Sequence, residues 1–383
     1  MESPVSSAVP NAYAAARAVA PVVRDHFARQ LQAARQRGEA DAGLLPDAAA
    51  IEVLIDAAFW ASLRREEGAT PKISLAFLPP EATSHPLLFE RPLPLSATAL
   101  TRLGPAVERP SIHLGVWSAG GTLLVWGTTL TVPRSCLVVE VVAPGLLVVK
   151  HRRGESGKFQ NVAVLEGDQI KVVDEEAPQL PGCPDVLTTR LGFAAPTSWG
   201  DAMNVLVQLA VSMRAHGRGG SMLMVPAGRE TWRESIGPHP YAVSPPFTEL
   251  ADILRQMDAG GEVHGQPDLD RAVDAVAGLT AVDGATVITD RYELLAFGTT
   301  IVPRNGSRPV EKVIETEPID GFVPVVVHPS ELGGTRHLSA AQFVQDQPDA
   351  IALVASQDGR FTVFAWSPCE DMVHAHRIET LLL

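Results

Sequence analysis

Cysteine is scarce in this chain. Three occur in 383 residues, Cys136, Cys183 and Cys369, far apart and in no CxxC spacing. That pattern excludes a disulfide framework and gives no zinc site. Bases are also in deficit, with 31 Lys and Arg against 44 Asp and Glu and a net charge of −13. A diffuse acidic surface disfavours DNA, RNA and anionic lipid, so neither a nucleic-acid polymer nor a membrane is expected as a partner. A small anion held by a few focused bases stays compatible with it. Long apolar runs are missing as well. The most apolar stretch, SCLVVEVVAPGLLVV, is broken by Glu140, Pro144 and Gly145 and reads as two strands. The opening residues, MESPVSSAVP, carry no basic n-region, so no secretory signal is evident and the expected location is cytoplasmic.

Several catalytic signatures are absent too. No GxSxG elbow occurs. HRRGESGKF, at 151–159, has two residues between its glycines where a phosphate loop has four, and Phe159 stands where Ser or Thr is required. It reads as a basic hairpin tip. RAHGRGGSMLMVP, at 214–226, has its glycines before a strand, whereas a dinucleotide fingerprint needs them after one. It reads as a helix stop. His374 and His376, in VHAHR, have no third metal ligand near them in sequence.

What is present is a globular composition, 46% hydrophobic, with 31 glycines and 31 prolines. The length suits two domains. Residues 12–36 and 47–65 have helical apolar spacing, and KISLAFLPP reads as a strand stopped by proline. Residues 81–110 read as loop. From His113 to Val173 short apolar runs alternate with turn residues, which predicts strands. A Pro- and acid-rich stretch at 174–198 is the linker candidate. Beyond it, helices and strands alternate. Helices are expected from Gly200, at 247–258, at 268–277 and from near Leu338. Strands are expected at 221–226, 282–289, 293–302, 322–328, 350–356 and 360–366. The expected organisation is an α+β domain over 1–180 and an α/β domain over 198–383 with a mixed twisted sheet flanked by helices. One echo crosses this boundary: LLVWGTTLTVPR at 123–134 and LLAFGTTIVPR at 294–304. Two hairpin strands with the same exit would produce it, and so would an old duplication.

Two motifs carry chemistry. In AVDGATVITD, Asp283 and Gly284 stand at a strand entrance, where a carboxylate can meet a cation or a ribose hydroxyl and a glycine lets a ligand approach. In GGTRHLSAAQF, Gly333 and Gly334 free the backbone, Thr335 offers a hydroxyl, Arg336 can grip a phosphate in bidentate fashion, and His337 adds a donor. The helix that follows aims its amides at the same spot. A turn and a polar surface pair are the plain readings of each motif alone.

In this order, Asp283-Gly284-Ala285 and then Gly334-Thr335-Arg336-His337, the pair resembles the diadenylate cyclase (DAC) domain, whose signatures are Asp-Gly-Ala and Arg-His-Arg. The resemblance covers roughly 198–383. The arrangement is similar to the predicted DAC-like nucleotide-sensor branch of bacteria. The resemblance implies that Asp283 holds a metal or ribose hydroxyl, that Gly284 and Ala285 line the nucleotide, and that Gly334, Thr335, Arg336 and His337 contact phosphates. It further implies two ATP-loaded domains face to face, hence a homodimer in an active cyclase, with Mg²⁺ or Mn²⁺ between Asp283 and Asp358. Two departures bear on catalysis. Leu338 stands in place of the second Arg, a loss of roughly 1.5–3 kcal/mol of charge-assisted contact. Gln357 stands where the family carries an acid. Three functions are therefore expected in order: a sensor of an adenine nucleotide or cyclic dinucleotide, an active cyclase making c-di-AMP from two ATP, and a scaffold that binds neither.

Overall fold

The computed structural model describes residues 12–36, 38, 44–66, 68–109, 111–152, 159–174, 205–237, 241–258 and 266–383. The chain divides into two compact units, Met1–Val173 and Asp174–Leu382. Each is a mixed sheet flanked by helices, which the α/β expectation requires of the second unit and which the first shares. The linker candidate lies, apart from Asp174, outside the described residues. So do Cys183 and residues 153–158 of the basic hairpin tip.

In the first unit the helices are α1 (Ala14–Gln36), α2 (Ala48–Ser62) and α3 (Ala97–Leu103). The strands are β1 (Ile73–Phe77), β2 (Leu87–Pro94), β3 (His113–Ala119), β4 (Thr122–Thr129), β5 (Leu137–Ala143), β6 (Leu146–Arg152), β7 (Phe159–Glu166) and β8 (Gln169–Val172). Helix α1 buries Val19, Val23, Phe27 and Leu31, one stripe at helical spacing. Helix α2 starts where the Asp47 carboxylate accepts a bond from the Ala50 amide at 2.6 Å. Val19, Val23 and Phe27 of α1 and Ile51, Leu54 and Ile55 of α2 pack with Leu75, Val139 and Leu147 into one core. The sheet order is β2-β4-β3-β1-β5-β6-β7-β8.

Residues 81–110 are more ordered than their composition predicts. They hold β2 and α3. The prolines that argue for loop, Pro92 and Pro94, sit on an edge strand, where a missing amide donor costs little. Helix α3 is capped by Ser96, whose hydroxyl accepts from Ala99 at 3.2 Å.

The second unit contains α4 (Val205–Ala215), β9 (Gly220–Val225), β10 (Tyr241–Phe247), α5 (Glu249–Asp258), α6 (Gln266–Gly278), β11 (Ala285–Thr289) and β12 (Leu294–Thr299). It continues with β13 (Val313–Thr316), β14 (Val325–Val327), α7 (Pro329–Leu332), α8 (Thr335–Asp346), β15 (Ile351–Ala355), β16 (Phe361–Ser367) and β17 (Met372–Arg377). Its sheet order is β10-β12-β11-β9-β15-β16-β17-β13-β14. Strands β9, β11 and β15 are buried along their whole length, so they read as continuous apolar runs. Helices α4 and α6 share one core with Met222, Met224 and Ile288. Helix α8 lies over the other face, with Ala340, Phe343 and Val344 against Val287, Val354 and Phe364.

Strand β17 is the VHAHR segment. Both imidazoles are buried and each has one nitrogen engaged: His374 Nε2 lies 2.6 Å from Glu370 Oε2, and His376 Nδ1 lies 2.6 Å from Thr316 Oγ1. Strands β10, β13 and β17 have no counterpart in the sequence reading. Pro245 and Pro246 hide β10, and β13 is only four residues long.

Candidate functional site

Three strand ends meet at one end of the second sheet. Strand β9 runs parallel to β11 with Ala285 beside Ser221. It runs antiparallel to β15 with Ala355 beside Gly220. The entrances of β9 and β11 and the exit of β15 therefore lie side by side. Helix α8 packs on the same sheet, and its N-terminus opens over this end. There Leu332, Gly333, Gly334, Thr335, Arg336 and His337 line a cleft of about 370 Å³. Its opposite wall is Val354, Ala355, Ser356, Gln357, Asp358 and Arg360.

Glycines bring these parts together. Gly219 has φ +70°, and a Cβ there would stand 3.1 Å from Arg336 Nη1 and 3.2 Å from the Ala355 carbonyl. The guanidinium thus rests against bare backbone. The preceding turn is held by His216. Its Nε2 lies 3.0 Å from Thr280 Oγ1, and its Nδ1 accepts from the Arg218 amide at 3.1 Å. Since the Thr280 hydroxyl donates to Ala277 O at 2.6 Å, His216 carries its proton on Nε2. RAHGRGG is a helix stop, as its position before a strand predicts. Its last glycines also make room for the arginine.

Arg336 is half-buried, and among the described residues no hydrogen bond or ion pair engages its guanidinium. Arg360 pairs with Asp358 at 3.4 Å. The cleft therefore carries two arginines against one aspartate. Four features converge there: the unpaired arginine, the Thr335 hydroxyl, the amides that open α8 and the dipole of that helix. All favour an anion. Gly334, the residue before the helix, offers no side-chain cap; the His337 amide donates to the Gly334 carbonyl at 3.1 Å, which leaves the Thr335 and Arg336 amides for a ligand.

His337 turns the other way. It is 2% exposed, its ring meets Phe364 edge-on at 6.0 Å, and its Nε2 lies 3.5 Å from Thr362 Oγ1. Burial pulls its pKa below the ordinary histidine value. Arg360, Arg336 and Arg377 act in the same direction, and Asp358 opposes them. A Cβ on Gly333 would stand 2.4 Å from His337 Nδ1, so that glycine accommodates the ring.

Asp283, Gly284 and Ala285 stand at the entrance of β11, at the same end of the sheet, but not among the residues lining the cleft. Asp283 is exposed, and Ala285 is buried in the core beneath α8. Gly284 has φ +103°, and a Cβ there would stand 2.6 Å from the Gly298 carbonyl carbon. Only glycine fits so close to another backbone. Leu338 is 37% exposed and lies outside the lining. Among the described residues no group of three or more His, Cys, Asp or Glu could hold a metal ion.

A larger cleft, about 660 Å³, lies beside β10, α5 and α6. Its charge has the wrong sign for an anion. Glu249, Asp252 and Asp268 line it against Arg271, which already bonds Asp268. Sequence reasoning missed Arg360 in the smaller cleft and Gly219 behind its Arg336. The only signal for Gly219 is the doubled glycine ahead of β9. Arg360 follows an ordinary turn and carries no signal.

A mixed sheet with a helix N-terminus and an unpaired arginine over one end is an α/β unit whose cleft is suited to an anion. The comparisons bear on the other unit. Residues 40–130 match the model of a family described as "Probable sensor domain DACNV". The match runs over α2 and β1 to β4, in the half for which the sequence reading assigns no role. It makes that region similar to a DAC-related sensor domain. No curated protein matches the chain. Among the described residues no helix is long and apolar enough to cross a membrane.

Proposed function

We propose that the second unit binds an adenine nucleotide or cyclic dinucleotide by its phosphates, and that the chain acts as a nucleotide sensor with little or no cyclase activity. The observation that carries this reading is Arg336. A half-buried guanidinium with no acidic partner, set against Gly219 at an uncapped helix start, is suited to a phosphate. The family match on residues 40–130 supports the sensor role. The weakness of the cyclase reading lies in the acids. Asp358 is engaged by Arg360, and Gln357 uses its amide to donate to the Arg218 carbonyl at 3.3 Å. A divalent cation would arrive with the phosphates it already coordinates; Asp283, at the same end of the sheet but outside the cleft lining, would meet it only from the edge.

The test is calorimetry of the full chain with ATP and with c-di-AMP in Mg²⁺, beside a chromatographic search for product from ATP and Mn²⁺. Binding is expected without turnover. Arg336→Ala should weaken binding at least tenfold, the scale of a lost charge-assisted bond of about 1.5–3 kcal/mol. Product formation abolished by Asp283→Asn would replace the sensor with a cyclase. Absence of binding to either nucleotide would leave the scaffold reading.

A further inference from the structure

The two sheets share one plan. Strands β1 to β7 occur in the order β2-β4-β3-β1-β5-β6-β7, and β9 to β12 with β15 to β17 occur in the order β10-β12-β11-β9-β15-β16-β17. The orientations agree as well. Strand β1 is parallel to β3 and antiparallel to β5, and β9 is parallel to β11 and antiparallel to β15. Helices precede the first strand of each set, and others join the second strand to the third. The GTT echo falls at one place in this plan, the exits of β4 and β12. Even its glycines coincide in role. A Cβ on Gly127 would strike the carbonyl of Leu87, the first residue of β2. A Cβ on Gly298 would strike the ring of Tyr241, the first residue of β10. Chance repetition of a hairpin exit does not reproduce an entire sheet order.

The copies differ where the cleft is built. In the second unit residues 300–350 leave β12, form β13, β14, α7 and α8, and only then enter β15. In the first unit residues 130–136 pass directly from β4 to β5. The segment that carries Gly334, Thr335 and Arg336 has no equivalent there. The strand entrance differs too. Ala285 pairs with Thr299 at the exit of β12, and His113 pairs with Thr129 at the exit of β4. Asp283-Gly284-Ala285 is thus replaced by Ser111-Ile112-His113. His113 is buried, with Nδ1 2.7 Å from Ser74 Oγ, so an imidazole fills the position of a methyl group.

We infer that the chain is one fold copied twice, and that only the second copy keeps a phosphate site. It takes one phosphorylated ligand per chain, and any reaction joining two such ligands needs two chains. This rests on the nucleotide reading of the second unit. Among the described residues the first copy has neither a helix start nor an arginine in the place that matches α8 and Arg336, since β4 passes directly to β5 there.

The experiment is a stoichiometry measurement on the full chain with Mg-ATP, by calorimetry on protein of known active concentration. One ATP per chain is expected, lost in Arg336→Ala and in Arg336→Gln, both checked for an unchanged thermal melt. Two ATP per chain, one surviving these variants, would overturn the inference and leave the nucleotide reading of the second unit standing. One ATP that survives both variants would place the ligand elsewhere and overturn it. Binding of neither ATP nor c-di-AMP would overturn both together.

Discussion

At the scale of single residues the cleft depends on glycines as much as on its charged groups. Gly219 is the sharpest case. Its φ of +70° lies where an L side chain is strained, and its Cβ position is 3.1 Å from Arg336 Nη1. Gly219→Ala should cost about 1–2 kcal/mol of stability. It should also push the guanidinium out of place and weaken ATP binding several-fold. Denaturant melts and calorimetry read the two effects separately. An unchanged affinity would mean that Arg336 does not act from that position. The same geometry explains what the motifs hide. Gly284 answers to Gly298 across two strands, and Gly333 answers to a buried ring. The first is a contact between backbones fourteen residues apart and the second depends on which way a ring points, and spacing along the chain says nothing about either.

At the scale of elements the important feature is the start of α8. Helices stabilise their first amides with a side-chain cap, and α8 has Gly334 instead. That residue has φ −77°, and nothing lies within 4 Å of a Cβ built on it, so a capping side chain fits. Gly334→Asp should raise stability by a few tenths of a kcal/mol, the usual difference between Gly and Asp at this position. It should also abolish or sharply weaken phosphate binding, because a carboxylate then occupies the anion position. Stability and binding moving in opposite directions is the expected result. Binding left intact would show that the helix start is not the phosphate site. The helix itself was legible. Its apolar spacing after two glycines marks its beginning within a few residues. Strand β10 was not legible, because edge strands tolerate prolines that elsewhere end a strand.

At the scale of the whole molecule the buried histidines set an acid limit. Burial is the main cause that lowers His113 and His26 to about 4. Lys150 acts in the same direction on His113, and His151 and Arg29 do so on His26. His376 falls to about 3 for the same reason, with His374 adding to it. A folded pKa below the unfolded 6.5 means that the unfolded chain binds more protons in the interval between them. The stability is whole above about 6.5 and is lost as pH falls toward 4. The cost for His113 alone is on the order of 3 kcal/mol, at 1.36 kcal/mol per unit. Urea melts at pH 7.5, 5.5 and 4.5 should give a falling midpoint. A midpoint independent of pH over that range would mean these imidazoles are solvated.

By itself the sequence determined the α/β class, most helices, the central strands and the residues of the helix-start motif. Those follow from apolar periodicity and from capping, which are local. It also held the GTT echo, which a repeated hairpin exit explained more simply than an entire copied fold did. Only the tertiary structure decided which residues converge. Arg336 meets Gly219 and the 356–360 turn because β9 and β15 are neighbours in the sheet. His337, adjacent to Arg336 in sequence, points into the core because successive helix positions face different sides. Likewise the echo became a shared sheet order only once strand pairing was known, since pairing joins residues that lie far apart in the chain.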